Sequence, residues 1–124
     1  MSEAIQVGVP RIGFYKTRLI NNGLWVAVRF WYGQPVIDGE VQDRFERWCV
    51  EVNGRTDRFD KEAGHRVPLD ALDVWPWAAG HPITMAEYYF LLRRKDWAEK
   101  HAPEHPAANP REPINLRKLK PVGP

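Results

Sequence analysis

The sequence has little cysteine and no long apolar run, and both absences narrow the class of protein. Cys49 is the one cysteine among 124 residues, so a secreted scaffold held by intrachain disulfides is excluded. No stretch approaches the roughly 20 apolar residues that a membrane-spanning helix needs. Residues 1–10 have neither a basic start nor an apolar centre, so we expect no signal peptide and a cytoplasmic protein.

Motifs of catalysis and metal binding are missing as well. The chain has no Gly-x-Ser-x-Gly elbow, no Walker loop and no Gly-x-Gly-x-x-Gly fingerprint. Cys49 stands within a predicted strand without a neighbouring His, which indicates an inert thiol. His101 and His105 have a metal-ligating spacing, but Pro103 breaks the helix between them. We therefore expect no enzyme, no metal and no cofactor.

A large excess of one charge is also absent. Eighteen Lys and Arg residues oppose sixteen Asp and Glu residues, which gives a net charge of +2. Residues 102–124 hold four basic and two acidic residues, so they carry this excess and residues 1–101 sum to zero. A dedicated nucleic-acid binder typically has a clear basic excess or stripe, which disfavours that class.

Tryptophan and proline, by contrast, are plentiful. Six Trp residues exceed what a small core needs, and Trp is enriched in binding hot spots. Six of the eleven Pro residues lie after residue 102. Because proline interrupts helices, residues 102–124 are predicted to form an extended arm.

Alternating apolar and polar residues predict an antiparallel sheet in the first half of the chain. The predicted strands are residues 13–20, 24–32, 44–52 and 55–59. Asn22-Gly23 and Asn53-Gly54 favour the positive φ angles of tight hairpin turns. Residues 60–82 are expected to be irregular, with one helical turn over residues 68–73 and an aromatic plug at Trp75-Pro76-Trp77.

A helix is predicted from Thr84 to about His101. Thr84 and Glu87 form a capping box at its start. Its apolar residues lie on two faces, so we expect it to pack on the sheet and on a second element: the plug, the arm or another chain. The predicted fold is α+β, a twisted three- to four-stranded antiparallel meander, barrel-like, packed on this one C-terminal helix. The domain organisation is a leader (1–10), a single α+β domain (11–101) and a Pro-rich tail (102–124).

The second predicted strand places an Arg between two Trp residues on one surface. An Arg beside aromatic rings can stack on a base, bind a phosphate or anchor a protein partner. Three further cations lie on neighbouring predicted strands, but the sequence does not give the pairing register and so does not show which face of the sheet they join. The candidate binding residues are Trp25, Arg29, Trp31, Lys16, Arg18 and Arg47. The alternative is that the helix or the tail covers these Trp residues and that Arg29 meets a carboxylate such as Glu51.

Three stretches resemble a family of small, uncharacterised accessory proteins of bacterial phages and prophages, and the similarity spans most of the chain. The stretches are Gly13-Phe14-Tyr15 with Gly23-Leu24-Trp25-Val26-Ala27-Val28-Arg29-Phe30-Trp31, then Pro82-Ile83-Thr84-x-x-Glu87-Tyr88, and Asn109-Pro110-x-x-Pro113-Ile114-Asn115-Leu116. The resemblance supplies no catalytic residues. It carries no function over to this chain and implies only a short accessory protein of a phage or mobile element. By analogy, small phage accessory proteins without catalytic motifs mostly act by binding, and their targets include host defence complexes such as CRISPR effectors, nucleotide signals, and transcription or replication proteins.

Together these features predict a non-enzymatic phage-type binding protein that inhibits a bacterial defence system, a CRISPR-type effector or similar, by steric blockade or sequestration. One alternative is a nucleotide or single-stranded nucleic-acid binding module on the same surface. Another is a structural head–tail component of a phage particle. The expected partner is a host defence protein or complex, with no membrane, and a homodimer is the expectation if the second helix face meets another copy.

Overall fold

The computed structural model describes residues 9–43 and 45–112 and confirms the α+β class. Among these residues it contains seven strands and two helices: β1 (Gly13–Arg18), β2 (Trp25–Gly33), β3 (Val36–Ile37), β4 (Glu40–Val41), β5 (Arg47–Val52), β6 (Asp57–Asp60), β7 (His65–Pro68), α1 (Ala71–Ala78) and α2 (Met85–His101). Most of the predicted leader and the last twelve residues of the predicted arm lie outside the described residues.

The main sheet is antiparallel, has the order β1-β2-β5 and is open rather than barrel-like. Arg18 lies opposite Trp25 at the β1–β2 hairpin, and β5 pairs with β2 from Val28 to Gly33. The segment of residues 81–83 covers the outer edge of β1: the Lys16 N–H donates to the His81 carbonyl at 3.0 Å. This edge pairing removes exposed backbone groups from β1.

The predicted Asn53-Gly54 turn forms, but it leads away from the main sheet. The predicted Asn22-Gly23 turn is displaced by one residue: only Asn22 has a positive φ angle, 60°, and the Gly23 N–H donates to the Ile20 carbonyl at 3.0 Å. Asn53 and Gly54 both have positive φ angles, 53° and 82°, as a two-residue hairpin requires. The predicted fourth strand, observed as β6, does not continue the meander, because it pairs with β7. Asp57 of β6 accepts hydrogen bonds from the Asp38 N–H (2.7 Å) and from Arg66 (2.8 Å), and the bond from Arg66 lowers the pKa of Asp57.

The two helices lie on opposite faces of the main sheet, which explains why β2 is apolar on both sides. On one face α1 inserts Trp75, which is 1% exposed, edge-on against Tyr15 and Phe30 with ring centroids 5.2 Å apart in both pairs. On the other face α2 packs Tyr88 and Leu91 near Ala27. The chain therefore has three layers, and the prediction of a single helix was wrong.

The segment 60–82, which was expected to be irregular with one helical turn, contains both strand β7 and helix α1. Asp70 caps α1, because its carboxylate accepts the Leu72 N–H at 2.9 Å. Pro76 lies inside the helix and argued against it in the sequence, yet burial of Trp75 and Ala78 offsets the lost hydrogen bond. Only half of the predicted aromatic plug is buried, since Trp77 is 73% exposed.

Helix α2 begins where the capping box predicts. The Thr84 hydroxyl accepts the Glu87 N–H at 3.1 Å, and the helix runs from Met85 to His101. Residues 102–112, the described part of the predicted arm, fold as consecutive turns rather than as an extended chain. Ala107 and Pro110 are buried there, so this part of the chain packs against the domain.

Candidate functional site

The strand register brings the candidate binding residues onto one face of the main sheet. Arg18 is opposite Trp25 across the β1–β2 pair, and Lys16 is opposite Ala27. Residues directly opposite each other in an antiparallel pair share a face, as do alternate residues of one strand. The same rule places Arg29, Trp31 and Arg47 on this face. Lys16 and Arg18 therefore lie on the same face of the sheet as Trp25, which the sequence alone left open.

Helix α2 divides this face into two ends. Ala27 lies between Trp25 and Arg29 and is 1% exposed, because Tyr88 and Leu91 pack around it. At about 3.3 Å per residue, Trp25 and Trp31 are roughly 20 Å apart along β2. They therefore belong to two local groups rather than to one continuous surface.

The first group, here the hairpin cluster, consists of Lys16, Arg18, Trp25 and His81. The Arg18 guanidinium carbon is 4.4 Å from the centroid of the Trp25 ring, and the Lys16 ammonium is 5.0 Å from it. The His81 ring centroid lies 4.8 Å from that of Trp25. Cations over an indole face at these distances gain electrostatic attraction from the ring quadrupole.

The charges of the hairpin cluster are only partly neutralised. Lys16 has an ion pair with Glu87, at 3.7 Å between Nζ and Oε2. Arg18 is exposed, and no carboxylate among the described residues lies within 4.0 Å of it. The cluster thus presents one guanidinium that is held in place by an indole ring and that has no counter-charge within 4.0 Å in the described part of the chain.

Backbone contacts fix the position of this cluster. Arg94 of α2 donates from Nη2 to the Trp25 carbonyl at 2.9 Å, and burial of Arg94 lowers its pKa. Pairing of residues 81–83 with β1 sets His81 beside Trp25. The side chains are therefore supported by three separate parts of the chain.

An open cleft of about 660 Å³ adjoins the hairpin cluster, between the β1–β2 hairpin and α1. Arg18, Trp25 and His81 line it together with Asp73 and the exposed Trp77. Its volume is within the range of roughly 300–1,000 Å³ that is typical of small-molecule sites. The cleft combines indole rings, a cation and a carboxylate.

The second group, here the β5 cluster, consists of Arg29, Trp31, Glu51 and Tyr88. The Arg29 guanidinium carbon is 4.7 Å from the Trp31 ring centroid, but its Nη2 is also 4.0 Å from Glu51 Oε2. The Tyr88 hydroxyl donates to the same carboxylate. Burial and then this hydrogen bond raise the pKa of Tyr88. The alternative pairing of Arg29 with Glu51 is therefore present, and this end of the face is neutralised.

Two residues in the first half of β5, Arg47 and Cys49, belong to neither cluster. Arg47 is exposed, and no carboxylate of the described residues is within 4.0 Å of it. Cys49 is buried, and burial raises the pKa of its thiol. A thiol with a raised pKa is a poor nucleophile, in agreement with an inert Cys49.

Sequence reasoning missed Trp77 and His81 as members of the site. Successive helical residues are about 100° apart, so a helix over this segment separates Trp77 from the buried Trp75 by roughly 200°. The helical spacing of the two Trp residues therefore indicated that Trp77 is exposed, but Pro76 argued against a helix over this segment. The place of His81 depends on a non-local pairing with β1, which no local pattern reveals.

The described residues offer no metal centre, since no group of three or more His, Cys, Asp or Glu side chains among them could hold an ion. Neither helix in that part of the chain has both the length and the apolar character to cross a membrane. Comparison of the chain with protein-family models, curated proteins and solved structures finds no match. The resemblance to phage accessory proteins stays a prediction.

Proposed function

We propose that this chain is a non-enzymatic binding protein that docks its hairpin cluster on an acidic site of a protein partner. The observation that carries the proposal is the Arg18 guanidinium, which lies over Trp25 and has no carboxylate within 4.0 Å among the described residues. Arg18 is exposed, so its donors are open to a ligand.

The chemistry of Arg18 favours a carboxylate or a phosphate as the recognised group. A guanidinium donates two parallel hydrogen bonds to either group. Stacking on an indole limits the freedom of the Arg18 side chain, so less entropy is lost when it binds. Arg and Trp are also the residue types that most often dominate protein interfaces.

A local acidic patch on a protein fits this cluster better than a long polyanion does. Lys16 is already paired with Glu87, and residues 1–101 carry no net charge. A nucleic-acid backbone requires many cations along its path, whereas one desolvated guanidinium is enough to anchor a protein partner.

The biological role that we propose is inhibition of a bacterial defence system. The support for it is the resemblance to small phage and prophage accessory proteins, together with the analogy that such proteins without catalytic motifs mostly act by binding host targets. The partner is then a defence complex such as a CRISPR-type effector, and the chain inhibits it by steric blockade of the surface that it covers.

The test is affinity capture from a bacterial host lysate, with and without nuclease, using the native chain, Arg18→Ala and a matched control, Arg58→Ala. Arg58 is an exposed arginine of the β6–β7 hairpin, outside the cluster. We expect native chain and Arg58→Ala to capture the same nuclease-resistant protein, and Arg18→Ala to capture at least about tenfold less of it. Capture that is unchanged in a folded Arg18→Ala variant contradicts the proposal.

A nucleotide or single-stranded nucleic acid is a second candidate ligand, and the cleft is the observation that favours it. Trp77 is 73% exposed and lines the cleft with Arg18, so a base can stack on the indole while the guanidinium binds phosphate. Nucleoside monophosphates are expected to quench Trp77 fluorescence, with an affinity that falls as salt rises. Trp77→Phe should remove the quenching and Trp97→Phe should not. Absence of saturable quenching contradicts this candidate.

A further inference from the structure

The cleft beside the hairpin cluster carries a carboxylate on the wall that α1 forms. Asp73 and Trp77 are four residues apart in α1, so they lie on the same side of the helix, and both line the cleft. Asp73 is exposed, and no basic side chain of the described residues lies within 4.0 Å of its carboxylate. Together with Arg18 on the hairpin wall, the cleft thus offers one charge of each sign to a ligand.

The rest of the cleft is mainly apolar. Its aliphatic side chains are half-buried and come from the hairpin, the end of β5 and α1: Leu19, Ile20, Val52 and Val74. The indole rings of Trp25 and Trp77 line the same cleft, and Trp77 is 73% exposed. An apolar lining with a few polar groups is typical of sites that bind a ligand.

The two charges indicate which kind of ligand fits. A ligand with a single sign of charge leaves either Arg18 or Asp73 covered and without a counter-charge, which is unfavourable. A nucleotide supplies a phosphate for Arg18 but no positive charge for Asp73. A peptide segment can supply a carboxylate, a cation and an apolar side chain together, so charge complementarity favours a peptide.

We infer that the cleft binds a short segment of the protein partner in which an apolar residue lies between an acidic and a basic residue. The acidic side chain pairs with Arg18 and the basic side chain with Asp73. The apolar side chain packs on the aliphatic lining beside Trp77. The inference rests on the proposed function, because Arg18 is the anchor in both, and it adds the apolar and the basic residue.

Asp73 then determines specificity more than affinity. A segment with acidic residues at both positions brings a carboxylate close to Asp73, and like charges across an interface are strongly unfavourable. The hairpin cluster alone accepts any acidic surface. The cleft as a whole rejects a purely acidic segment, because discrimination comes from the repulsive contact as well as from the attractive one.

The experiment is the sorting of a yeast-displayed library of random short peptides with the labelled full chain and with charge-reversal variants. The native chain should enrich peptides that contain an acidic, an apolar and a basic residue. Asp73→Lys should replace the basic preference by an acidic one, and Arg18→Glu should replace the acidic preference by a basic one. Asp96→Lys is the matched control, because Asp96 is exposed on α2 outside the cleft, and it should leave the preferences unchanged.

The affinity of one enriched peptide gives the size of each effect. Calorimetry should show that Asp73→Lys and Trp77→Ala each weaken its binding by about tenfold or more. Trp97→Ala changes an exposed Trp of α2 that does not line the cleft, so this control should bind like the native chain. Circular dichroism of every variant identifies any loss of fold.

Other outcomes overturn the inference. If only an acidic preference appears and Arg18→Glu removes it, the proposed function stands and the cleft has no part in it. If Arg18→Glu leaves the acidic preference unchanged, the proposed function fails as well. Enriched peptides without an acidic residue that resemble residues 114–119 identify a segment of this chain as the occupant. No enrichment excludes a peptide ligand, and if a nucleoside monophosphate binds instead, the cleft is a nucleotide site.

Discussion

The molecule contains two arginine–tryptophan pairs on the same sheet face, and they differ in one neighbour. Arg18 lies over Trp25 at 4.4 Å and Arg29 over Trp31 at 4.7 Å, which are nearly the same distances. Arg29 also meets Glu51, whereas Arg18 meets no carboxylate of the described residues. The charge of the Arg–Trp pair in the β5 cluster is thus neutralised within the fold, whereas that of the pair in the hairpin cluster is open to a ligand.

The cause of the difference is the length of the third strand. Strand β5 pairs with β2 only from Val28 to Gly33, so it places Glu51 directly opposite Arg29. Trp25 precedes the paired region, and the chain turns away at Asn53, whose N–H donates to the Ala27 carbonyl at 2.7 Å. Among residues 9–43 and 45–112, no third strand flanks Trp25, so none supplies a carboxylate there. The two Arg–Trp pairs therefore differ because β5 ends before it reaches Trp25, and not because of the Arg–Trp pattern itself.

The largest expected effect comes from removing the carboxylate that neutralises the β5 cluster. Glu51→Ala leaves the buried Tyr88 hydroxyl without its acceptor and Arg29 without its counter-charge, which costs about 1–3 kcal/mol of unfolding free energy. Glu51→Gln is the matched control, because it keeps an acceptor oxygen and should lose less. Urea unfolding measures both. Equal stability of Glu51→Ala and the native chain contradicts a structural role for this group.

The next largest effect is expected at the hydroxyl of Tyr88. Tyr88→Phe removes one buried hydrogen bond, worth about 1 kcal/mol. The pKa of Tyr88 is raised in the folded state, so its contribution is fully present below the unfolded value of about 10 and is lost as the pH rises above that value.

The unfolding free energy of the native chain should therefore fall more steeply above pH 10 than that of Tyr88→Phe. Urea titrations at intervals between about pH 8 and pH 11 give the two curves. Parallel curves exclude a raised pKa at Tyr88. The difference between the two proteins removes the contribution of the lysines, which titrate in the same range.

A smaller effect on stability is expected at the hairpin cluster. Arg18→Ala removes an exposed cation–π contact worth about 0.5–1 kcal/mol and breaks no ion pair between described residues. Thermal unfolding followed by circular dichroism is the measurement. A loss of unfolding free energy well above this range means that Arg18 stabilises the fold. That result contradicts the contrast between a structural Arg29 and a free Arg18.

The smallest effect is expected at Arg47. This residue is exposed at the start of β5, so Arg47→Ala should change the unfolding free energy by no more than about 0.5 kcal/mol. Partner capture should also be unchanged, because Arg47 belongs to neither cluster. If this variant captures less partner, the binding surface also includes Arg47 at the start of β5.

Local chemistry accounts for the parts of the fold that were predicted from sequence. The Asn53-Gly54 turn and the Thr84–Glu87 capping box act within a few residues, so their patterns predict structure directly. The alternation in β2 places Trp25, Arg29 and Trp31 on one face for the same reason. Each of these features depends mainly on residues that are close together in the sequence.

The features that were missed depend on contacts between distant segments. Helix α1 forms despite Pro76 because Trp75 packs between Tyr15 and Phe30. The division of the candidate surface follows from α2 crossing Ala27, and His81 joins the site through pairing with β1. Hydrophobic burial and backbone pairing between distant segments decided these outcomes, and a pattern within one segment does not show which other segment it will meet.

The most direct test of the contrast between the two ends is the affinity of one captured partner for Arg18→Ala and Arg29→Ala, measured side by side by calorimetry. Both variants remove an arginine that is stacked on a tryptophan on the same sheet face. We expect Arg18→Ala to bind at least about tenfold more weakly than the native chain and Arg29→Ala to bind like it. Equal losses, or loss confined to Arg29→Ala, contradict the assignment of binding to the hairpin cluster.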